Sequence, residues 1–448
     1  MPLLVYNSFL MDYPERILDF QRKLKDNKLD GFIVTNPTNI FYLTGFKGVS
    51  PTERESVLVF CPTPILITAR LYQTEATKVK SRNLKVKIVD ERDQIFEVAL
   101  QLLSQTHLRG VRAHLGGGKK EIEKHPRGVQ RSNLAHPGGE TRMGLPTVVR
   151  QGQAKSGFEQ DDLKFSEFQK FKTAFMSSSR TRGSDSGPSV LSSGSKDFRG
   201  NDNRITQLEL IPTKNFVEDI RLIKTDDEIK RIEKAQIISQ EAFEQLVKTI
   251  KTGQTEAEIA EKLTKIIKSI GADGLAFESI VASGQNSALP HYLTGKQKIK
   301  KGQVLLLDFG AKYQNYCADL SRTIFIGKPT EEMQNIYHHV LNAQKTAISK
   351  ITHGIKASDV YHTANNVFKK KMLHQYFIHG LGHGVGLDIH ENPYIRPTRN
   401  ELLLENMVFS IEPGLYLPWG GIRIEDLVVI SQGRAKVLGK TLDEIIEI

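Results

Sequence analysis

At 448 residues, 39% hydrophobic and 25% charged, the chain is long enough for two or three ordinary globular domains. Its two cysteines, Cys61 and Cys317, exclude a disulfide framework and point to a reducing compartment. The net charge of +11 would suggest a polyanionic partner, but nine Lys/Arg against three Asp/Glu lie between Gly110 and Ser156, and five against three between Met176 and Thr206.

In chain order, MPLLVYNSFLMDYPERI lacks a basic leader and a small-residue cleavage site, so it does not read as a signal peptide. No run approaches the roughly 20 apolar residues of a membrane span, and the expectation is a cytoplasmic protein with no membrane partner. Pro14 to Lys28 carries Ile17, Leu18, Phe20 and Leu24 at helical spacing. A strand GFIVT (Gly31 to Thr35) follows, then NIFYLTGF, then VLVF and PILIT flanking a turn at Cys61-Pro62-Thr63, a predicted hairpin.

From Gly110 to Ser156 there is no Phe, Tyr or Trp, nine glycines, and no period of 2 or 3.6. Phe158 to Phe175 returns to a helical pattern through Leu163, Phe165, Phe168 and Phe171. Met176 to Thr206 holds nine serines and four glycines, too little apolar area to fold. Both basic segments, 110–156 and 176–206, are expected to be disordered inserts. With aromatics for base stacking nearly absent, nucleic acid is not expected as a partner.

Structure is expected to resume near Leu208. Thr225-Asp-Asp-Glu228 and Thr255-Glu-Ala-Glu258 are capping boxes opening two helices, the second ending at Gly271. Strands are predicted at VLLLDFG, YCADLSRTIFI, VFSIEPGLYL and IRIEDLVVI, with helices from about Thr330 and Ser358 between them. Helices followed by acid-bearing strands predict an α+β domain with an antiparallel, curved sheet.

Acids on apolar strands are costly unless paired or metal-bound. Asp308 ends the run Val304 to Leu307, Glu412 sits between Phe409-Ser-Ile411 and Pro413-Gly, and Glu425 with Asp426 interrupts Ile422 to Ile430. Asp319 lies across a turn from Asp308, where the two can face each other. His383 lies in HGLGHGVGLDIHENP, where His379, His383 and His390 are spaced among glycines that permit close backbone approach. Asp308, Asp319, His383, Glu412 and Glu425 form an oxygen-rich set suited to two divalent ions. Cys317, two residues before Asp319, is expected on the same side of its strand, as a small filler or a wall of that pocket.

The stretches LLLDFGAKYQNYCADLSRT, HGLGHGVGLDIHENP, FSIEPGLY and GIRIED resemble the methionine-aminopeptidase-like, pita-bread metallopeptidases of family M24, in the branch that cleaves Xaa-Pro bonds (prolidase and aminopeptidase P). TNPTNIFYLTGF is similar to the α/β creatinase/prolidase-type N-terminal domain. The resemblance implies an N-terminal domain over 11–207, interrupted by the two inserts, and a catalytic pita-bread domain over 208–448. It further implies two divalent ions, Mn²⁺ with Co²⁺ or Zn²⁺ as alternatives, bridged by Asp319 and Glu425. Asp308 would complete one ion's shell, and His383 with Glu412 the other's. A bridging hydroxide would attack the scissile carbonyl with Glu412 as proton shuttle. His291 would contact substrate near the scissile bond, His379 and His390 would hold the proline side and stabilise the tetrahedral intermediate, and Arg423 would support the site. The implied substrates are proline-containing peptides or dipeptides, and the implied assembly is a homodimer.

The chain departs from that pattern at Asn315, where the family carries Gly before Tyr316, and at Gly384, where many Xaa-Pro enzymes carry an aromatic residue. Asn tolerates positive φ, so the hairpin is expected to survive. Methionine aminopeptidase, a metal-free creatinase-like enzyme and a non-catalytic binding module of this fold are the competing readings. His379 and the extra N-terminal domain argue against the first, and the intact acid set against the other two.

Overall fold

In the computed structural model the described residues are 12–48, 55–61, 63–79, 83–91, 94–115, 154–159, 208–441 and 443–448, with the side chains of 105–115, 154 and 208 excepted. They fall into two compact units that divide between Lys214 and Asn215. The expected boundary at 207/208 therefore moves past one strand, whose backbone pairs within the first unit.

In the first unit, α1 (Tyr13–Asp26) opens at Asp12, whose side chain accepts from the Glu15 amide at 3.2 Å, and buries Ile17, Phe20 and Leu24 as the spacing predicts, while Leu18, expected with them, is exposed. Next come β1 (Gly31–Val34), α2 (Pro37–Thr44), β2 (Ser56–Cys61), β3 (Thr63–Ala69), α3 (Gln73–Thr77), β4 (Lys85–Val89), α4 (Gln94–Leu115), β5 (Ala154–Glu159) and β6 (Leu208–Thr213). The expected hairpin forms, with Cys61 opposite Thr63. The sheet runs β4-β3-β2-β1-β5-β6, antiparallel across β1, β2 and β3 and parallel elsewhere. Its core includes Ile33, Val59, Ile67, Ile95, Leu103 and Phe158.

Two expectations need correcting here. The ends of the insert expected over 110–156 lie in regular elements, because α4 continues to Leu115 and β5 begins at Ala154. The predicted helix from Phe158 likewise starts in a strand, since Phe158 and Glu159 close β5. The cause is non-local: β5 takes parallel backbone partners from both β1 and β6, a pairing that no local side-chain pattern announces. Glu159 is buried and accepts from Thr35 N (2.6 Å), Asn36 N (2.8 Å) and Asn39 Nδ2 (2.6 Å), so it satisfies donors at the start of α2. The rest of both inserts and of the predicted 158–175 helix, residues 116–153 and 160–206, lies outside the described residues.

In the second unit, α5 (Glu218–Arg221) precedes α6 (Asp226–Val247) and α7 (Glu256–Ser269), and both predicted capping boxes form. Gly271, at φ +100°, lets the chain turn out of α7. Strands β7 (Gly274–Leu275), β8 (Ile280–Ser283), β9 (Gln303–Phe309), β10 (Ala311–Tyr313), β11 (Tyr316–Cys317) and β12 (Leu320–Ile326) follow. Helices α8 (Glu331–Lys350) and α9 (Ala357–Lys369) come next. The chain closes with β13 (Gly382–Gly384), β14 (Glu391–Ile395), β15 (Val408–Ile411), β16 (Gly414–Leu417), β17 (Gly420–Arg423), β18 (Asp426–Ser431) and β19 (Arg434–Val437).

Every strand pairing described in this unit is antiparallel, as expected, but it is divided among small sheets, chiefly β12-β9-β8 and β14-β13-β15-β18-β19. Period-2 alternation sends neighbouring side chains to two cores. Leu305, Leu307 and Ile324 pack among the residues of α6 and α7, whereas Val304, Phe325, Phe409 and Val428 pack among those of α8 and α9. The β10–β11 turn has Gln314 at φ +48° and Asn315 at φ +71°, the positive-φ conformation expected of Asn315.

Candidate metal centre

The four acids expected as metal ligands come together at strand ends of the second unit. Asp308 on β9 pairs with Ser321 on β12 and Ile280 on β8, while Asp319 lies just before β12. The turn expected between the two acids contains the whole β10–β11 hairpin. Ile411 on β15 opposes Asp426 on β18, which sets Glu412 and Glu425 across from each other. Backbone bonds fix both, from Glu412 N to Leu381 O (2.8 Å) and from Glu425 N to Ser321 O (3.1 Å).

His383 reaches the same place because β13 lies unusually close to its neighbours. A Cβ on Gly382 would stand 1.9 Å from the Ser410 carbonyl oxygen, so only glycine fits there. His383 Nδ1 contacts the Gly384 carbonyl at 3.1 Å, which requires its proton on that nitrogen. Nε2 then turns its lone pair to Asp319 Oδ2 and Glu412 Oε1, each 3.5 Å away. Burial lowers the imidazole's proton affinity, which keeps it in the neutral form a ligand needs.

One ligand atom each from Asp319, His383 and Glu425 lies within 4.8 Å of the others. Asp319 Oδ1 and Glu425 Oε1 are buried without a hydrogen-bond partner. Burial first, then the surrounding carboxylates, holds both carboxyl groups well above their ordinary range. Orphaned buried oxygens, crowded acids and a neutral imidazole are the donor set a divalent cation would satisfy.

A cavity of about 210 Å³ is lined by every residue expected as a metal ligand or catalytic group: Asp308, Asp319, His383, Glu412, Glu425, His291, His379, His390 and Arg423. Arg423 spreads its fork over three elements. Nε donates to Ser321 Oγ (2.8 Å), NH1 to Tyr416 OH (2.9 Å) and NH2 to Asp308 Oδ2 (2.5 Å). Ser321 Oγ in turn donates to Glu425 Oε2 at 2.8 Å. His379 has both ring nitrogens engaged, Nδ1 with Gly380 O (2.6 Å) and Nε2 with Tyr416 OH (2.8 Å).

Not every acid on these strands belongs to the cavity. Asp426, next to Glu425, points the other way and is ion-paired to Arg322 at 2.6 Å and bonded by Gln344 at 3.0 Å. Cys317 also turns away: it is buried, its thiol lies 3.5 Å from Leu387 O, and desolvation pushes its pKa up to about 12. It is a filler, because the break at Ala318-Asp319 between β11 and β12 ends the strand alternation that would have aimed it inward.

Sequence reasoning missed Ser321, Tyr416, Tyr394 and Arg396. Ser321 was within reach, two residues from Asp319 and so expected on the same side. Tyr416 lay inside FSIEPGLY without any sign of its hydroxyl's partners. Arg396, exposed on the cavity wall and stacked 4.9 Å from the Tyr394 ring centroid, had no signal at all.

Residues 230–432 match the model of metallopeptidase family M24, and residues 16–115 that of the creatinase/prolidase N-terminal domain. An Xaa-Pro dipeptidase of Pyrococcus furiosus is 42% identical over 233 residues, which is 52% of this chain and 67% of that protein. The chain belongs to metallopeptidase family M24. Over nearly its whole length this M24 chain is 27% identical to an uncharacterized peptidase of Bacillus subtilis, across 93% of this chain and 96% of that one. Among solved structures, the prolidase from Thermococcus sibiricus superposes with a TM-score of 0.75 at 30% identity, covering 98% of this chain and 100% of that one. The Xaa-Pro dipeptidase from Bacillus anthracis gives 0.75 at 28%, with the same coverage. These matches carry the expected architecture, a creatinase-type N-terminal domain followed by a pita-bread metallopeptidase domain. No described helix is long and apolar enough to cross a membrane.

Proposed function

We propose that this metallopeptidase hydrolyses the peptide bond preceding proline, with Xaa-Pro dipeptides as its preferred substrates. The observation that carries the reading is the cavity itself, in which four carboxylates and a neutral histidine meet three further histidines. Asp308, Asp319, His383, Glu412 and Glu425 would hold two divalent ions, Mn²⁺ ahead of Co²⁺ or Zn²⁺. Bound there, the ions would lower the pKa of a water and polarise the scissile carbonyl.

The protein's own groups do the rest. Glu412 takes a proton from the attacking water and returns it to the proline nitrogen as the C–N bond breaks, which leaves a carboxylic acid and a free amine. His379 is tied at both nitrogens, so it offers the proline a fixed ring edge rather than a free N–H. Donation to the tetrahedral oxyanion then falls to His291 and His390, which have no hydrogen-bond partner among the described residues. Arg423 holds Asp308 and Ser321 in place.

Support for dipeptides comes from Arg396. Arg423, the other cation of the cavity, is already paired with Asp308, whereas Arg396 has no ion-pair partner among the described residues. A dipeptide brings a free carboxylate close to its scissile bond, and a longer peptide does not. The relatives named Xaa-Pro dipeptidase and prolidase agree with this reading.

The test is hydrolysis of Xaa-Pro against Xaa-Pro-Xaa peptides by enzyme loaded with Mn²⁺, Co²⁺ or Zn²⁺. Faster turnover of the dipeptide is expected, and Arg396→Gln should raise KM for it more than for the tripeptide. Release of Met from Met-Ala peptides with no action on either proline series would overturn the reading in favour of a methionine aminopeptidase.

A further inference from the structure

Glu256, the first residue of α7, is fully buried, and no cation pairs with it among the described residues. Its Oε1 accepts from Ser283 N (2.8 Å), Ser283 Oγ (2.8 Å) and Asn286 Nδ2 (3.0 Å), and its Oε2 accepts from Tyr292 OH (2.8 Å). Asn286 Nδ2 also donates to Tyr292 OH at 2.9 Å. These donors lie at the two ends and near the middle of one segment, Ser283 to Tyr292. Its only side chains on the cavity wall are Pro290 and His291.

Two further bonds hold the middle of the same segment. Ser287 Oγ accepts from Gly421 N at 2.8 Å, and the Pro290 carbonyl accepts from Arg423 NH1 at 3.5 Å. A buried carboxylate is costly unless it is fully hydrogen-bonded. Here four donors and the N-terminus of α7 satisfy it, at a place with no metal ligand and no counter-charge. Burial, and then the bond to Glu256, pushes the Tyr292 hydroxyl up to about 12, so it remains a donor throughout the assay range.

We propose that Glu256 is a positioning residue that acts through Tyr292 and Ser283 to hold His291 against the scissile bond. The inference rests on the reading of His291 as a group that contacts substrate. Glu256 bonds the chain on both sides of that imidazole, at the Ser283 amide and at the Tyr292 hydroxyl, and the ring itself has no hydrogen bond among the described residues.

The experiment is a double-mutant cycle in the full-length, Mn²⁺-loaded enzyme with an Xaa-Pro dipeptide, following kcat, KM, melting temperature and metal content. Tyr292→Phe keeps the ring and removes one hydroxyl. It is expected to lower kcat by roughly tenfold or more, within the hundredfold that an ångström of misplacement can cost, with metal content and melting temperature unchanged. In a His291→Ala background the same change should cost nothing further. Glu256→Leu should lose more, and Glu256→Gln should recover most of it, because the amide keeps an acceptor for Ser283 and Asn286 and can donate to the Tyr292 oxygen. A damaged His291→Ala enzyme in which Tyr292→Phe still multiplies the loss would overturn the positioning role alone. Wild-type kinetics for His291→Ala would overturn the reading of His291, and the inference with it.

Discussion

At the scale of single residues the site is a contest between crowded negative charge and the groups that relieve it. Arg423 is the permanent relief, since its fork meets Asp308, Ser321 and Tyr416 at once. A lysine is a point donor and cannot span the three. Arg423→Lys is therefore expected to weaken Mn²⁺ binding by about 10–100-fold, the range for partners that orient metal ligands, as read by calorimetric titration. Unchanged affinity would mean that the fork does not organise the centre. Glu425 shows the same contest through acidity. Its folded pKa is raised, so the stability it contributes is complete below the ordinary glutamate range and is lost as pH rises through the raised value. Glu425→Gln cannot ionise. Without metal, its melting temperature should exceed the parent's by a margin that grows from pH 5 to pH 8; on adding Mn²⁺ the parent should gain and the variant should not. A margin that stays flat with pH would show that the carboxylate is not strained in the metal-free protein. These acids were legible in the sequence because a carboxylate in an apolar run is conspicuous. Tyr416 and Arg396 were not, because a tyrosine in a strand and an arginine on a surface are commonplace, and only their place at the site gives them a role.

At the scale of elements, what could be read locally depended on where the stabilising partner sits. The capping boxes at Thr225 and Thr255 close within four residues, so the chain carries the whole signal, and both formed. Strand β5 is held by β1, more than a hundred residues earlier, and by β6, which begins at Leu208, so its local pattern was silent and the helix predicted from Phe158 took its place. The β13–β15 contact is a middle case. Glycines around His383 signalled close approach without naming the neighbour, which proved to be Ser410. Gly382→Ala must push β13 from β15, and overpacking of this kind costs typically about 1–3 kcal/mol. The same displacement breaks the 3.1 Å bond from His383 N to Ser410 Oγ and withdraws the imidazole. The variant should melt lower than the parent and bind Mn²⁺ more weakly. A normal melting temperature with full metal uptake would show that the strands can part without cost to the site.

At the scale of the whole molecule, the chain's basicity and its chemistry occupy different places. Every residue lining the cavity lies between Phe277 and Glu425, inside the second compact unit. Most of the +11 charge lies in the two sequence segments that precede that unit. Cutting 116–153 and 176–206 back to short linkers removes twelve basic and six acidic residues and lowers the formal net charge from +11 to +5. Downstream of the two cuts, Ala154 and Leu208 open β5 and β6, which pair with each other. Loop closure favours the shorter chain by about 0.6 kcal/mol for each halving of length, so the first unit should melt no lower and by that term slightly higher. Metal content and kcat on an Xaa-Pro dipeptide should equal the parent's, because no ligand or cavity residue is touched. Long-range attraction to polyanions should drop with the charge, read as weaker retention on a cation exchanger at low salt. A shortened chain that fails to fold, or that folds and loses turnover with its metals in place, would show that one of these segments serves the enzyme and that its composition alone misled.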